Sequence, residues 1–102
     1  MEFVDLAEGK KVTVYCVSYD LRDSGQDYCS LTDYLESLDS CRGTESIWFV
    51  DSDLSAEELF RNVRRHTRSE DRLLVGELKQ QWCATAHFQC GHWLKAFRRN
   101  WG

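Results

Sequence analysis

Nine consecutive residues constrain this chain more than any others: Val12-Thr13-Val14-Tyr15-Cys16-Val17-Ser18-Tyr19-Asp20. β-branched and aromatic side chains dominate the run, which predicts a strand over 12–20. A period of two puts Val12, Val14, Cys16, Ser18 and Asp20 on one face and Thr13, Tyr15, Val17 and Tyr19 on the other. Both faces are largely apolar. A strand of that kind sits centrally in its sheet and is covered twice. The expected covers are the domain's own helices on one side and a second subunit on the other.

The segments that follow supply those helices. Residues 21–27 form a polar loop around Gly25. Tyr28, Leu31, Tyr34, Leu35 and Leu38 then recur at helical spacing and predict a helix over 27–39, with Asp27 as its N-cap. Ser40-Cys41-Arg42-Gly43 reads as a turn feeding a strand at 45–50, with a hairpin across 43–46 as an option. Ser55-Ala56-Glu57-Glu58 is a capping box, flanked by Leu54 and Leu59 at staple spacing. The helix it starts is expected to reach about His66. Residues 72–78 form another strand, residues 81–88 a further short strand, and Trp93, Leu94, Phe97 and Trp101 a terminal helix. A short extra strand is expected at 3–6.

Length and charge bound the rest. A chain of 102 residues makes one domain, with a core at about 11–78 and a tail at 80–102. No run of eighteen apolar residues exists, which excludes a spanning helix. The start of the chain lacks the basic and apolar stretches of a secretory signal, so a cytoplasmic protein is expected. Five cysteines cannot all pair, and in that compartment they are expected to stay reduced, most of them as small buried hydrophobes. Residues 1–60 carry fourteen acidic and four basic side chains, whereas residues 61–102 carry nine basic and three acidic. Such asymmetry predicts an acidic and a basic region on one surface, or head-to-tail meeting of like molecules.

The order strand, helix, strand, helix, strand, with right-handed crossovers, predicts an α+β, ferredoxin-like split β-α-β domain. Both helices fall on one sheet face, followed by a short strand and helix tail. The uncovered face predicts a homodimer joined through sheet or edge.

Val14–Leu21 resembles the first strand of the CRISPR-associated protein 2 family, and more closely its short stand-alone SinR-like relatives. Gly25-Gln26-Asp27-Tyr28, Glu45–Val50 followed by Asp53–Leu59, and Asp71–Val75 carry the same resemblance in the same order, across about residues 12–78. The resemblance implies a ferredoxin-like homodimer. It also implies an aspartate at the end of the first strand, here Asp20, that binds a divalent metal in members reported as nucleases. Other members are structural subunits that bind DNA beside a larger integrase. The virulence-associated protein D family of toxin-like ribonucleases shares this fold.

Three groups of residues are candidates for chemistry. Two copies of Asp20 near a two-fold axis would hold Mg²⁺ and activate a water for phosphodiester attack, with Ser18, Asp23 and Asp27 in support. The plainer reading of Asp20 is a loop carboxylate that orders its turn. Asp51 and Asp53 are expected at the opposite end of the sheet, because their strand runs antiparallel to the first. Cys83, His87, Cys90 and His92 are zinc-ligand types, but their spacing fits no finger pattern, and a packed tail explains them first. Arg61, Arg64, Arg65 and Arg68, with Lys95, Arg98 and Arg99 interleaved among tail aromatics, would hold a nucleic-acid backbone. An exposed helix face and a packed amphipathic terminal helix explain them first, and the net charge of -4 weighs against phosphate.

Two functions compete. One is a non-catalytic homodimer binding nucleic acid or a protein partner through its sheet edge or tail. The alternative is a Mg²⁺-dependent endoribonuclease or other nuclease centred on Asp20. The first is preferred, because a single aspartate is a thin signature for hydrolysis. No membrane contact is expected.

Overall fold

A computed structural model describes residues 12–22, 28–96, 99 and 101. The expected strand at 3–6, the loop glycine Gly25 and the N-cap Asp27 lie outside them. Four strands form one antiparallel sheet: β1 (Thr13–Asp20), β2 (Asp39–Thr44), β3 (Ile47–Ser52) and β4 (Arg72–Glu77). Helix α1 (Cys29–Glu36) joins β1 to β2, α2 (Ala56–Arg64) joins β3 to β4, and α3 (Gly91–Lys95) lies in the tail. The strand order is β2-β3-β1-β4. β1 pairs antiparallel with β3 and β4, and β3 with β2. β1 and β2 are therefore parallel, with β3 inserted between them. The sequence places β1 centrally, and so does the sheet.

One face of β1 meets the helices. Tyr15, Val17 and Tyr19 pack with Trp48 and Val50 of β3, Leu31 and Leu35 of α1, and Leu59 and Val63 of α2. Leu59 and Val63 are fully buried, and each such side chain stabilises by about 1.5–3 kcal/mol. The polar ends of the aromatic residues are satisfied. Trp48 Nε1 donates to the Tyr19 hydroxyl at 3.0 Å, and that hydroxyl donates to the Glu45 carbonyl at 3.1 Å. Ser55 caps α2 as its sequence predicts: its Oγ accepts from Glu58 N at 3.1 Å, and the Glu58 carboxylate accepts from Ser55 N at 2.9 Å.

The other face carries the first correction. Val14 and Phe49 form a second cluster with Cys90 and Leu94, bordered by Cys16, Cys41, Ile47, Trp82, Phe88, Trp93 and Trp101. The chain's own tail supplies this cover, where a second subunit is expected. Residues 81–88 form no strand; they run as coil and turn into α3.

The second correction concerns β2. Ser40-Cys41-Arg42-Gly43 is strand, not turn, and the optional hairpin across 43–46 forms, with its turn at Glu45 and Ser46. β2 pairs only with β3, with an irregularity between Arg42 and Thr44. Both helices are shorter than expected. α1 ends at Glu36 because β2 begins three residues later, and α2 ends at Arg64, not His66.

The third correction is covalent. Cys41 on β2 and Cys90 before α3 form a disulfide, with Cα atoms 5.9 Å apart. The cysteines are therefore not all reduced. Nor are most of them buried: Cys16 is half-buried, while Cys29 and Cys83 lie at the surface. Among the described residues no helix is long and apolar enough to cross a membrane.

Candidate functional site

Asp20 ends β1, beside Arg72 of β4 in the pairing register. Its side chain is 56% exposed and forms an ion pair with Arg22 Nη1 at 2.9 Å. A cleft of about 390 Å³ opens here, lined by Tyr19, Asp20, Tyr28, Arg42, Glu45 and Ser46 among others. Arg42 Nη2 donates to the Glu45 carbonyl at 2.7 Å, and its guanidinium lies over Trp48. Its Nε is buried without a hydrogen-bond partner among the described residues. Asp20 is thus held by an arginine, with a second arginine across the strand pair. Ser18 lies between Ile47 and Leu74, on the same face as Asp20, but Asp20's partner among the described residues is Arg22. The supporting candidates Asp23 and Asp27 lie outside the described residues.

The carboxylate that organises this end of the sheet is one the sequence reading missed. Asp71 is buried, only 6% exposed. Its Oδ1 accepts from Arg22 N at 2.8 Å and from the Tyr28 hydroxyl at 3.1 Å, and its Oδ2 accepts from Arg68 N at 2.7 Å. Burial alone would raise the Asp71 pKa. The hydrogen bonds from Arg22, Arg68 and Tyr28, with the charge of Arg64, outweigh it and hold the carboxyl below its ordinary range. One side chain therefore ties the exit of β1, the start of α1 and the entry to β4. Its sequence signals are an acidic residue immediately before a strand, which is too common to single out, and its place in the Asp71–Val75 stretch, which gave it no role.

The basic candidates separate. Arg64 is used structurally: its Nη1 donates to Thr67 Oγ1 and to the carbonyls of Arg68 and Asp71, and its Nη2 to the Ser69 carbonyl. Arg61, Arg65, Arg68 and Lys95 are exposed. Arg61 pairs with Glu57 one turn earlier, and Arg68 lies over the Tyr28 ring. Arg98 lies outside the described residues.

Arg99 is a correction, because it is buried and closes the tail onto the hairpin. Its Nη1 donates to Asp51 Oδ2 at 2.7 Å and Asp39 Oδ2 at 2.8 Å, and its Nε donates to the Trp93 carbonyl at 2.9 Å. The guanidinium also stacks 3.5 Å from the Trp93 ring centre. Burial works against its charge, but the hydrogen bonds and charges of Asp39 and Asp51 prevail and raise its pKa. It has no surface to offer a phosphate. Asp39 and Asp51 face each other in the register, so one guanidinium bridges both. As expected, Asp51 lies at the opposite end of the sheet from Asp20, since it pairs with Val14.

The zinc quartet is not assembled, because Cys90 is bonded to Cys41. Cys83, His87 and His92 are exposed. Cys83 and His92 line a cleft of about 620 Å³ in the tail, with Trp82, Phe88, Lys95 and Trp101. Among the described residues no three His, Cys, Asp or Glu side chains converge as metal ligands. Comparison with protein-family models, with curated proteins and with solved structures finds no match to this chain.

Proposed function

We propose that this chain is a non-catalytic, ferredoxin-like module that works as a homodimer joined along β4, a homodimer being what its resemblance to the CRISPR-associated protein 2 family implies. The observation that carries the reading is the state of β4. Among the described residues its only strand partner is β1. Leu74, at its centre, is 65% exposed on the face away from the helices. An open edge bearing a large apolar side chain invites a second strand. Two further points support it. The strand order and the packing of α1 and α2 on one face fit two interleaved β-α-β units. The Arg22 ion pair occupies Asp20, with Arg72 as the cross-strand neighbour, so cationic groups already surround the proposed metal ligand. The exposed Arg61, Arg65 and Arg68 are the surface such a dimer offers to a phosphate backbone.

The test pairs mass with activity. Sedimentation of the full chain is expected to give a dimer, and Leu74→Lys a monomer with unchanged circular dichroism. A monomeric wild type sinks the proposal. Labelled single-stranded RNA and duplex DNA are expected to survive incubation with Mg²⁺ or Mn²⁺. Metal-dependent cleavage that disappears in Asp20→Asn would replace this reading with the endonuclease.

A further inference from the structure

The tail crosses the second face of the sheet without joining it as a strand. Leu78 N donates to the Val14 carbonyl at 2.8 Å. Beyond that point, the backbone hydrogen bonds of the described tail are local: Trp82 to Gln80, Phe88 to Thr85, Gly91 to Phe88, Leu94 to Cys90, Ala96 to Trp93 and Arg99 to Ala96. Side chains therefore fasten it. Two fastenings flank α3, with Cys90 before it and Arg99 after it, and Trp93 within it donates from Nε1 to Asp39 Oδ1 at 3.2 Å. Both land on the β2–β3 hairpin, at Cys41 and at the Asp39–Asp51 pair. Between them Leu94 is buried against Val14 and Phe49. A five-residue helix does not stand alone in water. Its order depends on those fastenings.

We infer that the Cys41–Cys90 disulfide is a redox-operated latch, whose reduction frees the tail from the second face of the sheet while the helix-covered core stays folded. Both parts of the claim rest on placement. The helix-side core of Tyr15, Val17, Leu31, Leu35, Leu59 and Val63 includes neither cysteine. The tail-side cluster includes both, and opening it uncovers Val14, Cys16, Ile47 and Phe49. Cys16 lies in the same row, opposite Phe49, which is in turn opposite Cys41. Two strand spacings separate Cys16 from Cys41, roughly 9.6 Å, beyond the Cα reach of a disulfide. While the tail is in place, burial also raises the Cys16 thiol's pKa. Cys16 therefore does not compete with Cys90 for Cys41.

The electrons come from a dithiol reductant. Its thiolate attacks Cys41 Sγ, the sulfur of the less buried cysteine, and the S–S bond breaks. Cys90 leaves as a thiolate and takes up a proton. The reductant's second thiol then displaces Cys41, which also ends as a thiol. The reductant becomes a cyclic disulfide, and two electrons and two protons reside on the pair. A reducing compartment holds such a latch open and an oxidising one holds it shut.

Peptide-resolved hydrogen exchange on the full chain tests this, with and without dithiothreitol, after thiol titration of the unreduced protein. Three titratable thiols are expected before reduction and five after. Reduction is expected to speed exchange at residues 88–96 at least tenfold, leaving β1, β3 and α2 unchanged. A Cys41→Ser/Cys90→Ser chain should match the reduced protein without reductant. Five thiols before reduction, or equal tail protection in both states, would overturn the latch. Loss of protection in β1 together with the tail would overturn it too, making the bond a general staple.

Discussion

At the scale of single residues, Asp71 shows how much one carboxylate can organise. It accepts two backbone amides and a phenol hydroxyl from three separate segments. Because its folded pKa is depressed, the linkage has a definite sign. The stabilisation is fully present above the unfolded value, about 3.9, and is lost as pH falls through the folded value. Asp71→Asn keeps one acceptor oxygen but loses the charge. It is expected to cost about 1–3 kcal/mol near neutrality, the usual consequence of under-satisfied buried donors. The gap between wild type and variant should close from about pH 4 downward. Urea denaturation across that range measures it, and a gap independent of pH would refute the charge argument. None of this was legible in advance, because the three donors lie 49, 43 and 3 residues from Asp71 along the chain.

At the scale of elements, α2 is the counter-example, since its start is written locally. Ser55→Ala removes the acceptor for Glu58 N and breaks the reciprocal box. The expected loss is about 1 kcal/mol. For a domain near this size that lowers Tm by roughly 4–8 °C, readable by calorimetry. An unchanged Tm would mean that tertiary packing alone fixes the helix start. β1, α1, α2 and β4 were legible for the same reason: their patterns of two or three-to-four residues are complete within each segment. β2 was not. Asp39-Ser40-Cys41-Arg42-Gly43-Thr44 has no apolar alternation, and its partners come from elsewhere in the chain. Gly43, which looks like a turn residue, is a close approach. A Cβ there would stand 2.9 Å from the Phe49 ring and 3.0 Å from that of Phe88. The glycine admits the edge-to-face pair of Phe49 and Phe88 that joins tail to sheet. Sequence around Gly43 contains no trace of Phe88.

At the scale of the whole molecule, the doubly apolar first strand demanded two covers, and the chain meets the second demand with described residues of its own tail: Trp82, Phe88, Cys90, Trp93, Leu94 and Trp101. That shifts Arg99 from a candidate phosphate contact to packing, as the tail's anchor on the hairpin. Breaking a buried ion pair by removing one partner costs about 3–5 kcal/mol, because the other charge is stranded. Asp51, with a side chain 5% exposed, is the charge at risk here. Arg99→Ala should therefore lose stability of that order in the oxidised protein, as measured by urea denaturation. The same substitution should cost markedly less after reduction. A freed tail no longer presents Arg99 to the hairpin, and water already reaches Asp39 and Asp51. The two fastenings are then non-additive, by the 0.5–3 kcal/mol or so typical of groups that share a site. Equal cost in both redox states would mean that Arg99 holds the tail unaided. The ion pair would then be the true clasp, and the disulfide only a second fastening beside it.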